Sequence, residues 1–491
     1  MKWLVEEGRD GFKKVQHSMY AIRKRVVVLF EVLFLAGCAV RRYQPAPIVP
    51  VETASRFESR NLADTGLQAF EEANLGHPAL PWPPQVWDLG SLSLAALYFN
   101  PTLESARARV AEAEAAIITA GARPNPSLSV APGVPSPYLF NLDLSVPVET
   151  AGKRGHRIQA ARNLGEAARF DLADSAWKVR SGVRVALLNY LLASRSLELL
   201  RSEELVRDEQ VDILGQRLSV GEIPRPEVDL ARIQLSKARL AIGHAEGQFA
   251  EAKAALAAAI GVPVAALQKF DVSWSDLDSP PSAESLSPGH IQRDAVLNRL
   301  DVRRSLAQYA AAEANLQLEI SKQYPDVQIG PGYTYEERNN FFTIGLSTNL
   351  PLFNRNQGPI AEAEARRKEA AAVFLEKQAK VIADSERALA LYTATLKELA
   401  EADQSLRKLQ DALAQMTQQA IRLGEEDRLS LNGVQIESSV IARARLDALA
   451  RAQSALGELE DAVQRPLDPG AMFSIDPESP ALTKPPAESK R

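Results

Sequence analysis

The chain has 491 residues, 46% of them hydrophobic and 24% charged, with a formal net charge of −5 and a single cysteine. That length corresponds to roughly three ordinary domains. The mild acidity speaks against a dedicated nucleic-acid binder, which carries a strongly basic face, and the lone Cys38 excludes an intrachain disulfide or a multi-cysteine metal cluster. The 30 prolines are unevenly placed: none lies between Pro147 and Pro224, Pro226 and Pro263, or Pro359 and Pro466, yet they crowd from Pro45 to Pro84 and from Pro466 to Pro486. Proline inside a helix removes a hydrogen bond and clashes with the preceding turn. The chain therefore reads as a few very long helices between punctuated segments.

Residues 1–37 have the parts of a secretory signal: Arg23-Lys24-Arg25, the apolar run from Val26 to Gly37, and small residues at its end. The run is too short for a membrane-spanning helix, which needs about 20 residues. Met19 gives a signal of ordinary length, so residues 1–18 are read as the product of a misplaced start codon. Leu35-Ala36-Gly37-Cys38 resembles the bacterial lipobox, which implies that Cys38 becomes a lipidated first residue, and Ala39 after it implies outer-membrane sorting. Several acyl chains on one residue make a stable anchor. A Pro-rich extension, 38–88, follows.

The remainder is duplicated. A shift of 199 aligns Leu97 with Val296, Pro126 with Pro325 and Gly133 with Gly332; the shift becomes 204 for Pro147 against Pro351 and 203 for Gly221 against Gly424. Repeats of this kind replace the three-domain expectation with two copies, 89–262 and 288–465, joined by a linker, 263–287, and followed by a Pro-rich tail, 466–491. Each copy opens with a helix, Leu92 to Gly121 or Ile291 to Gln323, ended by Arg123-Pro124-Asn125-Pro126 or Tyr324-Pro325. Two alternating runs follow, forming hairpins at about 127–148 and 326–352 with loops at Pro135-Ser136-Pro137 and Glu336 to Asn340. Next comes a helix from His156 to about Ser219, or Ile360 to about Leu423, whose 64 residues span roughly 96 Å. A return helix of about 35 residues ends near Ile260 or Val463. Leu406, Leu409, Leu413, Met416, Ala420 and Leu423 step as a coiled-coil seam, and Val183, Tyr190 and Leu197 keep the seven-residue spacing in the first copy.

Four strands cannot close a barrel alone, and open sheet edges are not tolerated in a bilayer. Strands of this length and alternation suit a transmembrane barrel. An oligomer whose chains each give four strands meets these conditions, and three chains give twelve. The expected fold is mainly α with a small β-barrel portion: an internally duplicated, long helical periplasmic tunnel plus four transmembrane strands per chain, completed as a homotrimer. A coiled-coil scaffold without a pore is the alternative of another class.

The segments Ala122-Arg-Pro-Asn-Pro-Ser-Leu128, Pro147-Val-Glu-Thr-Ala-Gly-Lys-Arg154 and Asn349-Leu-Pro-Leu-Phe-Asn-Arg-Asn-Gln-Gly358 resemble the hairpin borders of TolC-type outer-membrane factors, and the Leu-Pro-Leu-Phe-Asn run is similar to the cobalt, zinc and cadmium efflux branch. The resemblance covers about 89–465. It implies a passive outer-membrane duct taking heavy-metal cations from a proton-driven inner-membrane pump of the RND type, through a periplasmic adaptor (membrane fusion protein), to the exterior. A drug-efflux or type I secretion duct is the alternative within the class. The resemblance also implies adaptor docking at the helix tips Val220-Gly221-Glu222 and Leu423-Gly424-Glu425, where glutamate replaces the third apolar residue. A periplasmic gate at Glu425, Glu426, Asp427 and Arg428 is a candidate; the family's ring aspartates are replaced by Ser430 and Gly433.

No catalytic site, cofactor or metal site is expected. His17, His77, His156, His244 and His290 are scattered, with no second ligand at helical spacing, and no phosphate loop or nucleophile elbow occurs. Lys153, Arg154, Arg157 and Arg355 beside the hairpins read as solvated interfacial charges. The expected partners are the chain's own copies, the adaptor, the pump and outer-membrane lipid, with no nucleic acid.

Overall fold

The computed structural model describes residues 42–78, 81–133, 139–268, 270–283, 286–337, 339–424, 426–467 and 482. The signal, Cys38, the Pro135–Pro137 loop, Glu425 and most of the 466–491 tail lie outside the described residues. The chain divides into two units, Met1–Arg56 and Phe57–Arg491. Most of helix α1 (Pro50–Glu58) belongs to the first, where Arg56 lies 3.8 Å from Glu52.

The second unit carries, in order, α2 (Thr65–Leu75), β1 (Val86–Trp87), α3 (Leu89–Phe99), α4 (Pro101–Ala120), β2 (Ser127–Pro132), β3 (Leu139–Val148), α5 (Lys153–Ser219) and α6 (Arg225–Ile260). After β4 (Asp271–Val272) come α7 (Pro288–Asn298), α8 (Leu300–Ser321), β5 (Val327–Glu336), β6 (Asn339–Thr348), α9 (Gln357–Glu401), a π turn (Ala402–Leu406), α10 (Arg407–Leu423) and α11 (Arg428–Val463). With 67 residues, α5 is roughly 100 Å long. Both return helices, α6 and α11, have 36 residues. One core packs α3 against α5 and α6 around Leu94, Leu97, Trp177, Val183, Leu256 and Ile260; a second gathers α7, α9 and α11 around Ile291, Tyr392, Leu459 and Val463. A parallel pair, Val86↔Asp271 and Trp87↔Val272, ties the linker to the residues before α3.

Three sequence expectations are corrected. First, each opening helix is two helices. Asn100 and Arg299 take extended backbone conformations, and at both breaks the C-terminus of a return helix is received: Asn100 Nδ2 donates to the Ala259 carbonyl at 3.0 Å, and Arg299 Nη1 to that of Ala462 at 3.4 Å. The breaks thus satisfy carbonyls that a helix end leaves open, and in the first copy Pro101 marks the spot.

Second, the long helix of the second copy is interrupted. The π turn adds one residue to a helical turn, and Asp403 within it is hydrogen-bonded to Arg445 of α11. Third, the seam residues beyond it are not buried in the α10–α11 hairpin: Leu409, Met416 and Leu423 are 70, 68 and 66% exposed. Gln410 occupies that interface instead, donating to the Val434 carbonyl at 3.0 Å and to Ser438 Oγ at 2.8 Å. In the first copy Val183 and Leu197 are buried as their spacing suggests, and Tyr190 meets Phe249 of α6 at 5.2 Å between ring centres.

Candidate functional site: a four-stranded sheet and two helix tips

The four long strands form one antiparallel sheet in the order β2-β3-β5-β6. Its register gathers residues of one kind on each face. Leu128↔Leu144, Val130↔Leu142 and Ile329↔Leu346 pair across strands, as do Pro331↔Ile344, Tyr333↔Phe342, Val146↔Ile329 and Leu142↔Tyr333. The other face carries Ser129↔Asp143, Ala131↔Asn141, Gln328↔Ser347 and Gly332↔Thr343, with Leu139 and Phe341 near the turns as its large apolar residues. A one-residue slip would exchange the faces. The apolar face is bare: Phe342, Ile344 and Leu346 are 83, 85 and 73% exposed. That pattern is the one a strand requires when one side meets lipid and the other water. The strands extend past the sequence expectation, to Glu336 and from Asn339, because Glu337 turns at φ +46°.

Beneath the sheet, three of the charges read as solvated, Lys153, Arg154 and Arg157, are engaged, whereas Arg355 is exposed as expected. Lys153 is buried; its Nζ donates to the Tyr324 carbonyl at 2.6 Å and to Asp326 Oδ1 at 2.7 Å. The Thr150 amide also donates to Asp326, and its hydroxyl to the Pro325 carbonyl. Burial opposes ionisation of Asp326, but these donors outweigh it and hold its carboxyl below the usual range. Arg157 pairs with Glu149, and Arg154 donates to the Gly121 carbonyl at 2.7 Å. Each hairpin base is thereby fixed to a helix of its own repeat or, through Lys153, to the other repeat.

Farther along α5, the two repeats are joined by buried charges that motif reasoning passed over. Arg180 and Arg184 lie 3.2 and 3.3 Å from Glu460 of α11. Arg184 donates to the Gln453 carbonyl at 2.8 Å and stacks 5.0 Å above Trp274 of the linker. Trp177 Nε1 donates to Asp461 at 2.8 Å. The available signal was two arginines one helical turn apart in a stretch that is apolar but for Lys178 and Ser181.

At the far end of the long helices, Gly221 and Gly424 take φ values of +80° and +77°, a left-handed conformation that glycine adopts without penalty and that ends a helix. Val220 and Leu423 beside them are 71 and 66% exposed, and Glu222 is exposed as well. The acidic cluster is neither free nor purely solvated. Asp427 caps α11 by accepting from the Ser430 amide at 2.9 Å and is hydrogen-bonded to Arg217 of α5; Arg428 lies 2.6 Å from Glu209; Glu426 accepts from the Ser430 hydroxyl at 2.5 Å. The Arg217 guanidinium, with the Ser430 amide, holds the Asp427 carboxyl below its ordinary range. These pairs tie the tip of one repeat to the tip of the other. Among the described residues no group of acidic, histidine or cysteine side chains is placed to hold a metal ion, and no helix is long and apolar enough to cross a membrane.

The chain thus presents a two-faced, four-stranded sheet whose outer edges are unpaired among the described residues, set on paired long helices. The family model described as outer membrane efflux protein matches residues 92–262. Cobalt-zinc-cadmium resistance protein CzcC of Cupriavidus metallidurans is 29% identical over 277 residues, 56% of this chain and 65% of that relative. Pyoverdine export outer membrane protein OpmQ of Pseudomonas aeruginosa is 24% identical, covering 75% of this chain and 84% of OpmQ. The probable outer membrane lipoprotein SilC of Salmonella typhimurium is 23% identical, covering 79% and 87%. The outer membrane protein VceC of Vibrio cholerae has the same fold, with a TM-score of 0.61 at 19% identity over 77% of this chain and 97% of VceC. The likeness to outer membrane efflux proteins thus rests on residues 92–262 and on relatives under 30% identical, and the chain spans less than two thirds of the length of CzcC.

Proposed function

We propose that the chain is the outer-membrane duct of a tripartite efflux system, a homotrimer whose twelve strands form one barrel and whose long helices form a periplasmic tunnel. The observation that carries this reading is the sheet: three ten-residue strands and one of six, apolar on one face and polar on the other, with both edges unpaired among the described residues. Such edges are excluded from a bilayer unless other strands cover them. Energy coupling belongs to an inner-membrane RND-type pump and a periplasmic adaptor. The adaptor docks at Val220-Gly221-Glu222 and Leu423-Gly424-Glu425, two matching points where positive-φ glycines turn the chain and leave apolar residues exposed.

The cargo in this reading is a heavy-metal cation. Its support is the similarity to CzcC; the similarity to OpmQ favours a second reading, an organic cargo. Ions that must leave as readily as they enter need no tight site. Lipidation of Cys38 anchors the chain, in keeping with the lipoprotein relative SilC. The gate in this reading is the pairing of Arg217 with Asp427 and of Arg428 with Glu209, which hold the two tips of a chain together. Conductance of the purified protein in planar bilayers tests the duct: protein that forms neither trimers nor channels, even with the tip pairs removed, overturns it. Cargo is read from a deletion strain, whose unchanged cobalt, zinc and cadmium tolerance would exclude metals.

A further inference from the structure

The two hairpins superpose in register. The pair Leu128↔Leu144 in the first corresponds to Val327↔Thr348 in the second, shifts of 199 and 204, and the following pairs as far as Pro132↔Phe140 and Pro331↔Ile344 keep those shifts. The helices agree: Gly152 and Asn356, 204 apart, both precede their long helix with left-handed backbones, at φ +72° and +63°. In a ring of copies that continued this relation, each contact of repeat 1 with repeat 2 inside the chain would have a matching position between repeat 2 and repeat 1 of the next copy.

At the strand edges the match is informative because the two copies differ there. β3 runs to Val148, and its last residues are paired with β5 alone: Val146↔Ile329, Pro147↔Gln328 and Val148↔Val327. The counterparts of those three are Leu350, Pro351 and Leu352. They have no strand partner in the chain; β6 stops at Thr348, and the Leu352 amide turns back to the Leu350 carbonyl at 2.9 Å. Leu350 and Leu352 are left 71 and 69% exposed. A groove of about 590 Å³, lined by Leu352, Phe353, Gln357 and Ile360 among others, lies open beside them. In the first repeat the counterparts of Leu352 and Gln357 are engaged: Val148 pairs with Val327 of β5, at 44% exposure, and Lys153 is buried against Tyr324–Asp326. On the opposite edge, Leu128 and Val130 of β2 are 49 and 53% exposed.

Resting on the shared-barrel reading, we propose that Leu350–Leu352 of one chain straighten and extend β6 along β2 of a second copy in one fixed antiparallel register. Leu350 then lies opposite Val130, Pro351 opposite Ser129 and Leu352 opposite Leu128. This register continues both faces of the sheet, with leucine meeting valine or leucine on the apolar side, as Val146 meets Ile329 within the chain. A slip of one residue sets apolar against polar residues throughout. The groove beside Phe353 receives the Asn125-Pro126-Ser127 segment of the other copy, where a neutral amide, Gln357, replaces the buried ammonium of Lys153.

The test is disulfide trapping between two tagged chains in the same outer membrane, one carrying Leu350→Cys and the other Val130→Cys, each with Cys38→Ser. Oxidation with copper phenanthroline is expected to give a product bearing both tags, at least about fivefold more than Leu350→Cys gives with Leu128→Cys or Pro132→Cys. The Leu352→Cys and Leu128→Cys pair repeats the measurement should either first variant fail to assemble. Within one chain, Val146→Cys with Ile329→Cys verifies that the sheet oxidises. A trimer in which another pair dominates, or in which 350–130 and 352–128 both stay reduced while 146–329 forms, overturns this register and leaves the shared barrel standing. Unmodified protein that stays monomeric in membranes overturns the barrel reading itself.

Discussion

Replacing Gly457 by alanine opposes two effects of known sign. In a free helix, alanine is favoured over glycine by roughly 1 kcal/mol, and Gly457 lies well inside α11. A methyl group there would come 2.3 Å from Arg184 Nη1. The arginine end is normally able to swing aside, but this one is 2% exposed and held by the Gln453 carbonyl at 2.8 Å, by Gln453 Oε1 at 3.2 Å and by Glu460 at 3.3 Å. Displacing it uncouples a buried ion pair, at about 3–5 kcal/mol when a partner is lost outright. Because Arg180 still faces Glu460 at 3.2 Å, the lower end applies, and the net expectation is destabilisation by about 2 kcal/mol. Thermal unfolding followed by circular dichroism measures it. In an Arg184→Met background the same alanine should be neutral or stabilising, a coupling of about 2–3 kcal/mol in a double-mutant cycle. A Gly457→Ala protein as stable as its parent, or one that loses as much without Arg184 as with it, would refute the reasoning.

Three further outcomes follow. Glu71 is buried, its Oε1 lacks a hydrogen-bond partner among the described residues, and burial, with Asp88 nearby, raises its carboxyl to about 8. The raised value means that its contribution to stability is present below the usual 4.5 and is lost as pH rises toward 8; Glu71→Gln should flatten that decline and stabilise the protein by about 1–3 kcal/mol at pH 8.5, and equal pH profiles would contradict it. Asp427→Asn removes the charge that pairs with Arg217 while keeping a cap for α11; on the gate reading, channel openings in bilayers should rise several-fold with trimer content unchanged, and a closed variant would count against the gate. For Cys38→Ser the expectation is loss of acyl labelling with the trimer still assembled, since on the shared-barrel reading the strands themselves span the membrane; a labelled serine variant would remove the lipobox assignment.

How much was legible in the sequence depended on whether a feature is local or made by distant contacts. Gly221 and Gly424 were readable because a helix end needs positive φ in its own residues. Proline gaps located α5, α6 and α11, since the proline restriction is equally local. The break at Asn100 could have been seen in Asn100-Pro101, but Arg299 carries no such signal: its backbone is set by Ala462 and Gln464, more than 160 residues away. The seam at Leu406–Leu423 was legible in its period, but its exposure within the chain was not, because Gln410, a polar residue between the leucines, is the one that reaches the α11 backbone. Lys153 looked like a solvated charge because nothing near it in sequence reveals that Asp326 lies above it.

The duplication also explains where the two copies were free to diverge. Joints inside the chain carry charged residues beside apolar ones: Arg304 pairs with Asp171, Lys153 meets Asp326, and Arg303 lies 4.6 Å over the Phe170 ring. By the repeat shifts the matching positions are Ser105 with Leu375, Glu104 with Phe374, and Ser127 with Gln357, which on the trimer reading would meet between copies; Leu375 is 61% exposed, while Phe374 also packs on the second core of its own chain. A joint closed by association must strip water from whatever it buries. An ion pair there roughly breaks even against its desolvation, whereas apolar area contributes about 25 cal/mol per Å². Within the chain the partners are already held close, and paired charges fix which residue meets which. Leu375→Glu should therefore leave folding of the chain intact and weaken assembly of the trimer, measured as the oligomer fraction on mild detergent gels; a variant assembling as well as its parent would show that this face of α9 is not part of the joint.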